Sequence, residues 1–288
     1  MKRPALLLGL VLLAATAHGQ QTAAPQPATP PVDGPRRFQA AYPMQYDPMP
    51  VEDIAAVLAR VHAYLDSTTP PRLVDRDTDA EIADYSVPNT NAVLARGDFR
   101  LVSYEWGVTY SGMLHAAEAT GDARYSDYVA SRVKFIADVA PMFPPPPPGT
   151  PFQPGAGRNS AFLFRSVNAP RSLDDSGAMS AAFIKAARAG IHADALRPYI
   201  DRYLDFIATG QMRLADGTLA RNRPLHNALW LDDLYMSVPA LAQMGALTGE
   251  SRYFDDAVKQ ILQFSERMFV PERGLYMHGW IEGMDPHP

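Results

Sequence analysis

Cysteine is absent from the 288-residue chain. That removes disulfides, a thiol nucleophile and any zinc–thiolate site. Basic runs are missing too: 26 Lys and Arg stand against 31 Asp and Glu, a formal charge of −5. This balance argues against nucleic acid or an anionic membrane as the main partner. No apolar run reaches the ~20 residues that span a bilayer as a helix. Sustained strand alternation is also lacking, so helices are the expected elements. Neither a G-x-S-x-G elbow nor a phosphate-binding G-x-x-x-x-G-K-[ST] loop occurs. Gly155-Ala156-Gly157-Arg158 follows no strand and lacks the third glycine of a dinucleotide fingerprint. The seven histidines form no H-x-x-x-H or close pair, so their spacing requests no metal. His62, His115 and His192 read as surface or packing residues.

What is present begins with an export signal. Lys2 and Arg3 precede the apolar Ala5–Ala15, and Ala17-His18-Gly19 offers small residues for cleavage near Gln20. Residues 1–19 are therefore expected to direct the chain to the periplasm or outside. Residues 20–35, rich in Pro, Ala, Thr and Gln, read as a flexible tether. Hydrophobic residues make up 47% of the chain, enough for a large core in residues 36–288. Pro144–Pro148, five consecutive prolines, read as a stiff spacer or a cleft rim.

Apolar residues at helical spacing predict seven helices. The first covers 51–67, with Ile54, Val57, Leu58, Val61 and Leu65 as its stripe, and Pro70-Pro71 ends it. A long polar segment, 72–100, reads as loop. Tyr104–Thr120 carries Gly107, Ser111, Gly112 and Ala116, small residues that suit an inner helix. Ala123–Val139 is amphipathic, with Asp127, Arg132 and Lys134 on its polar face, and suits an outer one. The remaining helices are 172–189, 194–208, 232–247 (kinked at Pro239) and 251–268. Thr120-Gly121-Asp122-Ala123-Arg124-Tyr125 returns 128 residues later as Thr248-Gly249-Glu250-Ser251-Arg252-Tyr253. Both stretches join a small-residue helix to an amphipathic one. The repeat is thus a helical hairpin, and the fold class is all-α.

In stacked hairpins the inner helices start on one face. Glu105-Trp106, Asp174-Asp175 and Trp230 with Asp232-Asp233 stand at three such starts, and His278 and Trp280 where a fourth is expected. A single Asp before an apolar run reads as an N-cap. Recurrence at several starts favours a shared pocket, in which carboxylates supply acid and base and aromatic faces stack on sugar rings.

Four blocks in this order carry a family resemblance: Y-E-W-G-V-T-Y-S-G-M (104–113), S-L-D-D-S-G-A-M (172–179), L-W-L-D-D-L-Y-M-S-V-P-A-L-A (229–242) and G-L-Y-M-H-G-W (274–280). Together they resemble the unsaturated glucuronyl and rhamnogalacturonyl hydrolases, glycoside hydrolase families 88 and 105. The resemblance implies an (α/α)6 barrel of six helical hairpins. It also implies an oligosaccharide substrate bearing the unsaturated uronic acid that polysaccharide lyases leave at the non-reducing end. The chemistry the resemblance implies is protonation by an Asp on the C4 side of the C4–C5 double bond and addition of water at C5, with neither metal nor organic cofactor. By motif position Asp232 is the acid/base and Asp174 the second conserved acid. The resemblance also makes Trp230 an aromatic wall and His278 a substrate contact, while Trp106 is expected to face substrate from its place at an inner-helix start. Asp233 stands where many members have Gly and is expected to support the acid or cap the helix.

Two departures follow from the same comparison. An upstream aromatic–His pair of the family is replaced by Leu219-Ala220-Arg221-Asn222-Arg223, so Arg221 or Arg223 is expected to meet the substrate carboxylate, or else to be solvated loop charge. Seven helices are read where the family has twelve, which makes an incomplete barrel the expectation. The alternatives are a non-catalytic fragment that binds sugar or a partner, and a sugar isomerase or lyase on the same scaffold.

Overall fold

Three helices, α2 (Tyr104–Thr120), α5 (Leu173–Arg188) and α7 (Leu231–Thr248), lie side by side as an inner layer. The computed structural model describes residues 48–144, 162–223 and 225–284. The export signal, the tether, Pro145–Pro148 and Gly155–Arg158 lie outside the described residues. Each inner helix leads into an antiparallel partner. α2 packs on α3 (Ala123–Val139), α5 on α6 (Ala193–Asp205) and α7 on α8 (Ser251–Met268). The architecture is thus the repeated helical hairpin that the 128-residue echo implied, and the chain is mostly helical. Two further helices, α1 (Val51–Thr68) and the unexpected short α4 (Phe162–Asn168), complete the eight α-helices of the described residues.

Small residues are what let the inner layer form. A Cβ on Gly107 would strike the backbone of Ala178, and one on Gly177 would strike the Met236 carbonyl. α2, α5 and α7 therefore approach backbone to backbone. The echoed turns are equally local in cause. Gly121 (φ 71°) and Gly249 (φ 77°) end α2 and α7 in the left-handed conformation, which glycine adopts without a Cβ penalty. In both turns the preceding threonine hydroxyl donates to the carbonyl four residues back.

The core runs along the hairpins. Tyr125, Val129, Val133 and Ile136 of α3, Ala178, Ala182 and Ile184 of α5, and Leu241 and Met244 of α7 are buried as their spacing implied. Three assignments change. α1 forms where expected, yet buries no residue: Ile54, Val57 and Val61 are exposed, and only Leu58 and Leu65 pack against the core. On α8 the buried side is Tyr253, Ala257, Gln260, Phe264 and Met268, while Val258 and Ile261 face outward. Arg132 is buried rather than polar surface. Its guanidinium lies 4.0 Å from the Tyr128 ring centre, donates to the Thr69 carbonyl at 3.1 Å and pairs with Asp66 at 2.9 Å, which ties the end of α1 to α3.

Short strands fill parts of the expected loops. β1 (Leu73–Asp75) pairs antiparallel with β2 (Glu81–Ile82) and β3 (Ala92–Leu94), burying Leu73, Ala92 and Leu94. At the other end β4 (Ala228–Trp230) pairs antiparallel with β7 (Gly279–Ile281), with Trp230 opposite Gly279. β5 (Phe269–Val270) and β6 (Leu275–Tyr276) form a hairpin after α8. None shows a long alternation, because each is only two or three residues long.

Candidate active site

The acids singled out by sequence occupy one structural position. Glu105, Asp174 and Asp232 are each the second residue of an inner helix, after Tyr104, Leu173 and Leu231. No side chain caps any of these three helices at its own N-terminal flanking residue. Carboxylates in the first turn therefore answer the partial positive charge there. The expectation that an Asp caps its own helix is corrected: Trp230 is the flanking residue of α7, and Asp232 and Asp233 lie inside its first turn. Asp175 instead caps the neighbour, accepting a 2.8 Å hydrogen bond from the Tyr104 backbone N–H. Sequence reasoning missed this link, since nothing in a chain's own spacing reveals a cap supplied from another helix.

Arg221 sits among the acids. Its Nε and one terminal nitrogen both donate to Asp233 at 2.6 Å. That same terminal nitrogen donates to Asp174 at 2.6 Å and to Asp232 at 3.3 Å. The guanidinium carbon lies 4.7 Å from the Trp230 ring centre. Arg221 is thus neither solvated loop charge nor an open receptor: it is the cation shared by three carboxylates. The placement is local in origin. Arg221 exchanges backbone hydrogen bonds with Ala228, the first residue of β4. The β4–β7 pairing and a 2.8 Å bond from Leu231 N–H to the His278 carbonyl bring His278 alongside, its ring 5.5 Å from Trp230.

Burial sets the electrostatics. It raises the Asp174 carboxyl above its ordinary range, with Arg221 opposing and Asp232 and Glu105 adding to the rise. It raises Asp175 as well, with the Tyr104 N–H working against it. Asp233 is 0% exposed, and desolvation pushes it up to about 6 although Arg221 pulls the other way. Desolvation disfavours the Arg221 charge, but its bonds to Asp233 and the three nearby negative charges outweigh that and hold it above its ordinary value. The Asp232 side chain is 40% exposed, and its Oδ1 atom is buried without a hydrogen-bond partner. Such an arrangement can hold a proton, because three carboxylates have one guanidinium to balance them.

A cleft of about 440 Å³ opens beside this cluster, lined by Arg171, Asp174, Gln211, Arg221, Asn222 and Arg223 among others. Among the described residues no carboxylate pairs with Arg171 or Arg223. Asp174, Asp232, Asp233, Arg221, Trp230 and His278 are brought together. Trp106 is not: at 5% exposure it packs in the core, 5.7 Å from the Phe99 ring and 6.1 Å from that of Tyr110.

The decisive comparison is with a family model, that of Glycosyl Hydrolase Family 88, which matches residues 74–287. The chain belongs to glycosyl hydrolase family 88. This family-88 chain is also similar in fold to a solved structure from Klebsiella pneumoniae subsp. pneumoniae, a possible member of family GH105. The TM-score is 0.51 at 18% identity, covering 88% of this chain and 55% of that one. A possible GH105 member from Salmonella enterica subsp. enterica serovar Paratyphi A gives a TM-score of 0.50 at 20% identity, covering 86% and 58%. The chain spans just over half the length of both. No curated protein matches it. The six-hairpin glycosidase fold of family 88 is the expected fold class. Among the described residues no helix is long and apolar enough to cross a membrane.

Proposed function

We propose that this protein is a hydrolase that removes the unsaturated uronic acid from the non-reducing end of lyase-generated oligosaccharides. The carrying observation is the set of three carboxylates, Asp174, Asp232 and Asp233, balanced by one guanidinium beside a Trp ring. In this reading Asp232 is the proton carrier. Its side chain is the most exposed of the three acids, and its 3.3 Å contact with Arg221 is the longest of the three. The proton goes to C4 of the C4–C5 double bond, the oxygen of water bonds to C5, and the resulting hemiketal rearranges with release of the sugar. Asp174, held by Arg221, orients or deprotonates the incoming water. Trp230 and His278 form the wall against the ring. Because Arg221 is already engaged, the substrate carboxylate falls to Arg171 or Arg223 in the cleft. Residues 1–19 would export the enzyme to the periplasm or beyond.

The test is a spectroscopic assay. Lyase-generated oligosaccharides should lose the ultraviolet absorbance of their double bond on treatment with the protein. Asp232→Asn should lower that rate by on the order of 10²–10⁴, the usual contribution of a positioned acid, with the fold intact. Full activity in the variant removes the mechanism. Sugar binding without turnover in the wild type would favour the non-catalytic alternative.

A further inference from the structure

The acid pair and the cleft are explained by the proposed reaction, but Asp233 is not. It is fully buried and sits one residue past the proton carrier; of the three acids only Asp174 lines the cleft. Its two oxygens take Nε and one terminal nitrogen of Arg221, both at 2.6 Å. A bidentate pair fixes the guanidinium plane as a single contact does not. Trp230 beneath that plane, at 4.7 Å, restrains it from one side. The shared nitrogen is thereby held between Asp174 and Asp232, at 2.6 and 3.3 Å. Ser237 anchors the turn in its own way, its hydroxyl donating to the Asp233 carbonyl at 2.8 Å.

We infer that Asp233 is a positioning residue: by clamping Arg221 it reserves that cation for the acid pair and withholds it from the substrate. This rests on the proposed hydrolase reading. The inequality of the two remaining contacts gives the clamp its use. Asp174 receives the closer contact and Asp232 the weaker, so the clamped guanidinium is held nearer to Asp174 than to Asp232. Loss of the clamp would let Arg221 swing toward either acid or toward the substrate carboxylate. The other titratable or charged groups nearby are Glu105 and Tyr104 from α2 and Asp175 from α5, which act on Asp174; Arg100 acts on Tyr104 and Asp175, and His278 packs against Trp230. None of them occupies the Arg221 fork.

The experiment titrates the carboxyls directly. Carbon-13 carboxyl resonances of Asp174 and Asp232 would be followed against pH in the substrate-free protein, wild type and Asp233→Asn. Removing the Asp233 carboxyl releases Arg221 to the other two acids, so both midpoints should fall, by about one pH unit. With the acid less protonated, kcat above those midpoints should drop on the order of tenfold, and KM should fall as the released guanidinium reaches the substrate carboxylate. If Asp233→Asn fails to fold, the double variant Arg221→Gln with Asp233→Asn replaces the ion pair by an amide pair. There the midpoints should rise, because the nearest cation is gone. Midpoints that stay at wild-type values in a folded variant overturn the positioning role. A wild type that titrates as described yet leaves unsaturated oligosaccharides intact overturns the hydrolase reading instead.

Discussion

Asp233 shows how much of the site's behaviour is set by one residue's surroundings. Burial holds its folded-state carboxyl at about 6, against an ordinary 3.8. At pH 5 the folded chain therefore keeps this proton while the unfolded chain gives it up. The stability contribution is fully present below about 3.8 and is lost as pH rises through about 6, to a total of up to about 3 kcal/mol. Asp233→Asn cannot titrate, so the stability of the wild type relative to the variant should decline between pH 4 and 7; urea unfolding of both proteins at several pH values measures this. A constant difference would mean that Arg221 keeps Asp233 ionised throughout. At this scale Asp174 and Asp232 were legible, since an acid pair before an apolar run recurs at inner-helix starts. The partnership of Arg221 was not, because its distance from Asp174 depends on which strand its loop pairs with. Trp106 misled for a plain reason: an aromatic next to an acid on a helix points into the core as readily as toward a cleft.

Among the elements, the inner helices separate two uses of glycine. Gly177 lies where α5 meets the Met236 carbonyl of α7, and no side chain fits there. Gly177→Ala should force the helices apart and cost about 1–3 kcal/mol or more. Asp174 and Asp232 ride on those two helices, so the variant should also lose activity beyond its loss of stability. Gly249 has open space around it and is needed only for its φ of 77°. Gly249→Ala should cost about 1–2 kcal/mol, the left-handed penalty, and leave the site geometry unchanged. Thermal melts of both variants, with the hydrolase assay alongside, distinguish the two cases. Equal effects on activity would refute the claim that close approach at Gly177 sets the acid spacing. The hairpin helices were readable from periodicity because each buries a continuous stripe. α1 broke the rule: its stripe is present, but only Leu58 and Leu65 find a surface to cover.

For the whole molecule, acidity should be the weak side. Asp216 is held near 2: burial works to raise it, but bonds from the Thr218 backbone and hydroxyl and from Arg267 prevail. Asp256, tied to Arg213 and Gln260, is lowered as well despite its burial. For a depressed carboxyl the contribution exists above the unfolded value of 3.8 and disappears as pH falls through the folded one. Stability should therefore drop as pH is taken from about 4 to about 2, and a melt series across that range would show it; a flat series contradicts these ties. The sequence by itself determined the hairpin repeat, the family and the acids at the inner-helix starts, because helical periodicity, left-handed glycine turns and short motifs are local in the chain. Tertiary structure alone decided the rest. It made Asp175 the cap of another helix, buried Arg132 between α1 and α3, and moved Trp106 into the core. It also turned Arg221 from a loop charge into the shared partner of three carboxylates. Each of these depends on atoms far apart in sequence, and a charge's partner and its burial are fixed only when the chain has packed.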